Sequence, residues 1–240
     1  MKQIFEFADE RLKSSCIHCG RWIASVDSNK DHVPSKMLLE RPFPANLPTI
    51  EICSDCNNSF SADEEYFAAF LGAVRAGTTN PDPEHFPNAY RILQGNPKLR
   101  KRIERAKFES QNPDGQTDIF WTPEWPRVEN VVVKNARGHA YYELSEPISD
   151  KPDYFWAGPL ESLKDSEREK FEGWTEFGRF MPWPEIGSRL FTRVIEGQDL
   201  ENGWIIVQKG CYRYAVIQEG LAKVKMVIAE YIGAQVAWYE

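Results

Sequence analysis

The sequence predicts a mixed α+β protein in which a small cysteine-framed module precedes a longer, aromatic-rich region. Three observations predict it. Two Cys-x-x-Cys pairs, Cys16/Cys19 and Cys53/Cys56, enclose a stretch rich in Pro, Asn, Asp and Ser, where loops and short strands are expected. Helical spacing of apolar residues follows from Ser61. Beyond Arg127, runs of β-branched and aromatic residues carry strand character. The division expected is residues 1–77 as the cysteine module, 78–126 as a helical connection with a basic stretch, and 127–240 as an α+β region of unknown role.

Residues 1–14 read as a short lead-in. Acids stand there where a signal peptide would have an apolar core, so a cytoplasmic location is expected, and no stretch is apolar enough for a membrane span. In a reducing compartment, paired cysteines are more often metal ligands than disulfides. Four thiolates in two knuckles converge tetrahedrally on one zinc ion, so Cys16, Cys19, Cys53 and Cys56 are read as a closed structural zinc site. His18, inside the first knuckle, is read as an exposed residue and not a ligand. The 33 residues between Cys19 and Cys53 exceed what a simple zinc ribbon needs, so the segment between the pairs should have its own task.

Ser61 with Glu64 reads as a capping box opening a helix. Phe67, Phe70, Leu71 and Val74 supply its apolar face, and Gly77 ends it. Residues 78–90 form a Pro-punctuated connection. A second helix is expected over residues 91–108, interrupted at Asn96-Pro97, and residues 109–126 read as loop. Strands are then expected in VENVVVKN, HAYYELS, RLFTRVIE, GWIIVQKG and YRYAVIQ, with a helix around residues 160–173. The last twenty residues fit helix or strands, and Cys211 reads as a buried strand residue.

The order of the motifs carries the functional expectation. Cys-x-x-Cys is followed by Asp31-His32-Val33-Pro34-x-Lys36, then Asn46-Leu47, then Cys-x-x-Cys-Asn57, with Ser61 and Asp63-Glu64-Glu65-Tyr66 beyond. This arrangement resembles the HNH endonucleases, the zinc-containing branch of the ββα-metal nucleases, over roughly residues 16–66. The resemblance implies a β-hairpin and helix around a catalytic ion, with the zinc clamping the ends. It implies metal-dependent hydrolysis of nucleic acid, with DNA as the expected substrate and RNA left open, in a bacterial or phage setting such as restriction or defence. His32 would be the general base and Asn46 would orient its ring. Asp31 and Asn57 would hold magnesium or manganese, with Asn58 as the rival to Asn57.

Neighbours in a strand point to opposite faces, so Asp31 and His32 cannot both point inward in an ideal strand. Asp63, Glu64 and Glu65 have a sufficient reason as acids at a helix N-terminus. Lys36 and the basic stretch Lys98, Arg100, Lys101, Arg102 and Arg105 are candidates for phosphate contacts, against the plain alternative of a solvated helix face. The formal net charge of −7 weighs against a protein that coats DNA non-specifically. The rival to the enzyme is a non-catalytic zinc-knuckle module that binds nucleic acid or protein. The oligomeric state is open.

Overall fold

The structure, a computed structural model, describes residues 1–4, 14–111, 114–115, 117–173 and 183–239. The protein is mixed α+β, as expected. It divides into two compact units, one of Met1–Ser59 with Val132–Glu240 and one of Phe60–Val131.

The first unit opens with β1 (Ser28–His32) and β2 (Thr49–Cys53), an antiparallel pair in which Asp31 faces Ile50 and His32 faces Thr49. Helix α1 (Ser54–Ala76) follows β2 without a break and runs on into the second unit. The helix therefore starts seven residues before the expected cap, and Ser61 lies inside it. Cys56 and Asn57 sit in its first turn, because the second cysteine pair bends the chain directly from strand into helix.

The second unit contains the rest of α1, then α2 (Pro87–Gly95), α3 (Pro97–Glu104) and the antiparallel hairpin β3 (Lys107–Gln111) with β4 (Thr117–Trp121). The break between α2 and α3 lies at Asn96, whose side chain accepts from Leu99 N and caps the second helix. Residues 109–126, expected as loop, instead carry most of this hairpin. Gly72 of α1 lets α2 approach closely: a Cβ there would stand 2.2 Å from the Ala89 Cβ.

Helix α4 (Trp125–Leu144) replaces the two strands expected from VENVVVKN and HAYYELS. Strand propensity lost to packing. Val128, Val131, Val132, Ala136, Ala140 and Leu144 are all buried at helical spacing, and Lys134, Asn135, His139 and Glu143 are buried with them. RLFTRVIE is likewise a helix, α6 (Arg189–Glu196). Ser188 caps its start, Gly197 in the left-handed region ends it, and Leu190 and Arg193 are buried one turn apart.

A six-stranded antiparallel sheet completes the first unit, in the order β5 (Tyr154–Pro159), β10 (Ile232–Trp238), β9 (Ala222–Ile228), β8 (Tyr212–Ile217), β7 (Trp204–Gln208), β6 (Leu200–Glu201). The tail left open by the sequence is thus a strand hairpin. Helix α5 (Asp165–Glu172) matches the one expected near residues 160–173. It places Phe171 against Trp204, Ala215 and Val227 of the sheet in one core cluster. On α4, Glu143 accepts two bonds from the buried Arg193 Nε at 3.0 and 2.9 Å and a third from Tyr214 Oη at 2.6 Å. His139 Nε2 lies 2.9 Å from Tyr212 Oη, and its ring stacks on Tyr214 with centroids 3.7 Å apart.

Candidate metal centre and the Asp31–His32 segment

The first knuckle is a tight turn. Cys16 N donates to Arg21 O and Gly20 N to Cys16 O, both at 2.8 Å, and Gly20 takes a φ of 72° that favours glycine. The second knuckle joins β2 to α1, with Cys56 N donating to Cys53 Sγ at 3.4 Å. Together they bring the four Sγ atoms within 4.8 Å of one another, and Cys19 and Cys53 stand at 3.7 Å. Zinc–sulfur bonds of about 2.3 Å in a tetrahedron put sulfurs about 3.8 Å apart. The cluster therefore has the donor set and spacing to hold one such ion. Among the described residues it is the group of three or more His, Cys, Asp or Glu that meets this test.

The surroundings suit thiolates unevenly. Burial pushes the Cys16 and Cys56 thiols up. At Cys19 slight burial is outweighed by hydrogen bonds, chiefly from Arg21, which bring it down to about 6. Arg21 Nε lies 3.4 Å from Cys19 Sγ, and its Nη2 lies 3.3 Å from Cys53 Sγ and 2.9 Å from Asp55 Oδ2. The guanidinium thus spans one thiol from each knuckle. The sequence offered only its place two residues beyond Cys19 as a signal.

His18 is not the exposed residue expected. Both ring nitrogens are out of contact with solvent, and burial lowers its pKa to about 3, with Arg137 and Lys134 adding to the effect. Its neighbour Ile17 belongs to the apolar cluster of Cys16, Val33, Ile50, Ile52 and Cys53, which roots the cysteine site in the β1–β2 pair.

Asp31 and His32 end β1 on opposite faces. Asp31 is buried, and Lys134 Nζ of α4 lies 3.0 Å from both of its carboxylate oxygens. His32 is half-buried and makes no hydrogen bond among the described residues. Burial, then the Lys36 and Lys134 cations, hold its pKa below the ordinary value, so the ring is neutral at pH 7. Val33 N donates to Pro48 O at 2.9 Å and extends the pairing past His32. The Val33 side chain lies where a Cβ on Gly138 of α4 would come within 2.9 Å, and Asn135 Oδ1 accepts from Ser35 N at 2.9 Å. Helix α4 thus grips this segment on both sides of Pro34.

The other expected residues fall as follows. Asn57 lies against β1 and donates to Asn29 Oδ1 at 2.6 Å, whereas Asn58 is exposed. Asn46 is exposed and donates to Met1 O at 3.1 Å, and no hydrogen bond joins it to His32. Lys36 is exposed, with Nζ 5.5 Å from the Phe43 ring centroid. Asp63 lies in the interior of α1, paired with Arg127 at 3.1 Å and accepting from Asn130 at 2.7 Å, so its reason is this pairing and not a helix N-terminus. Arg102 pairs with Glu124 and Lys107 with Glu109, while Lys98, Arg100, Lys101 and Arg105 have no ion pair among the described residues.

No family model, curated protein or solved structure matches the chain. No helix among the described residues is long and apolar enough to cross a membrane.

Lys134 is the residue that reading the sequence missed. Reading residues 128–135 as a strand hid it, yet the helical spacing of Val131, Val132, Asn135, Ala136, His139, Ala140 and Glu143 was available to find the helix that carries it.

Proposed function

We propose that the chain is a metal-dependent endonuclease of the HNH type, acting on phosphodiester bonds of nucleic acid with DNA as the first-choice substrate. Cys16, Cys19, Cys53 and Cys56 hold a structural zinc. The observation that carries the proposal is His32: a neutral, half-buried imidazole without a hydrogen-bond partner among the described residues, at the end of a strand framed by the cysteine cluster. The ring retains a basic nitrogen able to take the proton of an attacking water.

Asp31 and Asn57 would hold the second ion, magnesium or manganese. When bound, it would neutralise charge on the phosphate and assist the departing oxygen. Asn46 orients His32 only if its amide leaves Met1. Lys36, exposed four residues after His32, has a second use in meeting a phosphate.

The Lys134 ammonium favours a second reading, because it already neutralises Asp31 at the place where the divalent ion would bind. In that reading the chain is a non-catalytic zinc-knuckle module that binds nucleic acid or protein, and Asp31 is a structural anchor for α4.

Plasmid and RNA cleavage with magnesium or manganese, comparing wild type with His32→Ala, tests the choice. The expected result is cleavage by wild type and a loss of about 100-fold or more in the variant, with the melting temperature unchanged. Equal activity in both proteins, or none in either, leaves the binding module.

A further inference from the structure

We propose that the β3–β4 hairpin is a stacking surface for single-stranded nucleic acid, fed by the cations of α3. Phe108 and Phe120 are register partners on one face of the hairpin, stacked with ring centroids 5.3 Å apart and planes 17° from parallel. They are 51% and 44% exposed, so the pair does not serve a core among the described residues. Core contact belongs to the opposite face, where Trp121 meets Phe70 edge-on at 6.5 Å. The pair holds the two strands in register as a cross-strand contact, and its exposed surface is open to a flat partner.

The chemistry of that partner is set by what precedes the hairpin. Between Lys98 and Lys107 the chain carries six cations and one acid. Glu104, the one acid, accepts from Thr79 Oγ1. Lys98, Arg100 and Lys101 of α3, with Arg105 just after it, are left without an ion pair among the described residues, on the segment that leads into β3. A protein of net charge −7 that carries unpaired cations on the segment running directly into a hairpin with exposed rings offers a match to a polyanion with planar bases. A single strand offers both, because its bases are free to stack on aromatic side chains while its phosphates meet the cations. Duplex DNA keeps its bases stacked and would use the cations alone. The choice of nucleic acid agrees with the proposed function, but the residues are different ones and binding is measured without cleavage.

The test is fluorescence anisotropy of the full chain with a labelled, mixed-sequence DNA strand of about 16 nucleotides, no divalent ion being added, and with the same strand as a duplex. Wild type is expected to bind the single strand about tenfold or more tighter than the duplex. F108A/F120A should lose about tenfold in single-strand affinity and keep its salt dependence. F108Y/F120Y retains the rings and should bind as wild type, which separates lost stacking from a damaged hairpin. K101A/R105A should flatten the slope of log affinity against log salt by about 1.4. Unchanged binding by F108A/F120A, or no binding by wild type at low salt, overturns the proposal. So does self-association of wild type that the Phe variant abolishes, since the rings would then serve a second copy of the chain. Loss of cleavage in His32→Ala with strand binding intact leaves this surface standing apart from the catalytic reading.

Discussion

Asp31 and His32 adjoin in the chain and live in opposite environments, because a strand sends successive side chains to opposite faces. The buried carboxylate is held by an ammonium, and the half-buried imidazole is kept neutral by burial first, then by Lys36 and by the same ammonium. Two measurements separate the roles. A base with a lowered pKa stays neutral as pH falls below 6.5, so the acid limb of a cleavage profile should lie below the ordinary histidine range. Removing Lys36 deletes one cation that disfavours the imidazolium. Lys36→Met is therefore expected to raise the His32 pKa and move that limb to higher pH; a limb that stays in place or moves down means that His32 is not the titrating base. The second variant is Lys134→Met. It strands a buried carboxylate, at a cost of about 3–5 kcal/mol of stability. If Asp31 is a ligand, magnesium replaces the lost ammonium, and the melting temperature of this variant should recover with added magnesium more than that of wild type. If magnesium leaves the variant where it was, Asp31 is a structural anchor.

At the scale of elements, the cysteine site and the segment beside it depend on α1 and α4. Cys53→Ser removes a proposed zinc ligand from the strand side of the cluster. It should release about one equivalent of bound zinc, as structural sites are closed and tetrahedral, and lower the melting temperature; full zinc content with normal melting would mean the cysteines do not hold the ion. Gly138→Ala tests the contact of α4 with the Val33 segment. Alanine would improve helix propensity by about 1 kcal/mol, but its Cβ would come within 2.9 Å of Val33. The overlap should dominate, with a net loss of about 1–3 kcal/mol, and Val33→Ala in the same chain should recover part of it. The elements also mark how far the sequence was legible. The cysteine pairs were readable because spacing alone defines them, whereas the strand pair between them was expected only from the family resemblance. Helix α4 was not readable, since three consecutive valines look like a strand until the buried Asn135, His139 and Glu143 are counted on the same face. Nor was α6, where β-branched residues obscured Ser188 and Gly197 as a matched start and stop.

Across the whole molecule, the largest unit is joined by polar groups that the fold keeps out of water, and these make its stability depend on pH. His139 lies on α4 between Tyr212 and Tyr214 of the sheet, and burial, helped by the nearby Arg193, pushes its pKa well below the ordinary value. The folded ring is therefore neutral where the same ring in an unfolded chain takes a proton near pH 6.5. Below that pH the unfolded state binds one more proton at this site, so its contribution to stability falls by about 1.4 kcal/mol for each pH unit; above pH 7 the site contributes no slope. Between pH 6.5 and 5 the expected loss is about 2 kcal/mol, or about 4–8 °C in melting temperature for a chain of this size. His139→Gln keeps a partner for Tyr212 but has no proton to gain. It should melt below wild type at pH 8, because the stacking on Tyr214 is lost, and the two curves should converge as pH falls to 5. Zinc content measured at each pH separates this slope from proton competition at the cysteines. Parallel curves would mean that the neutral imidazole under the sheet does not couple the fold to pH.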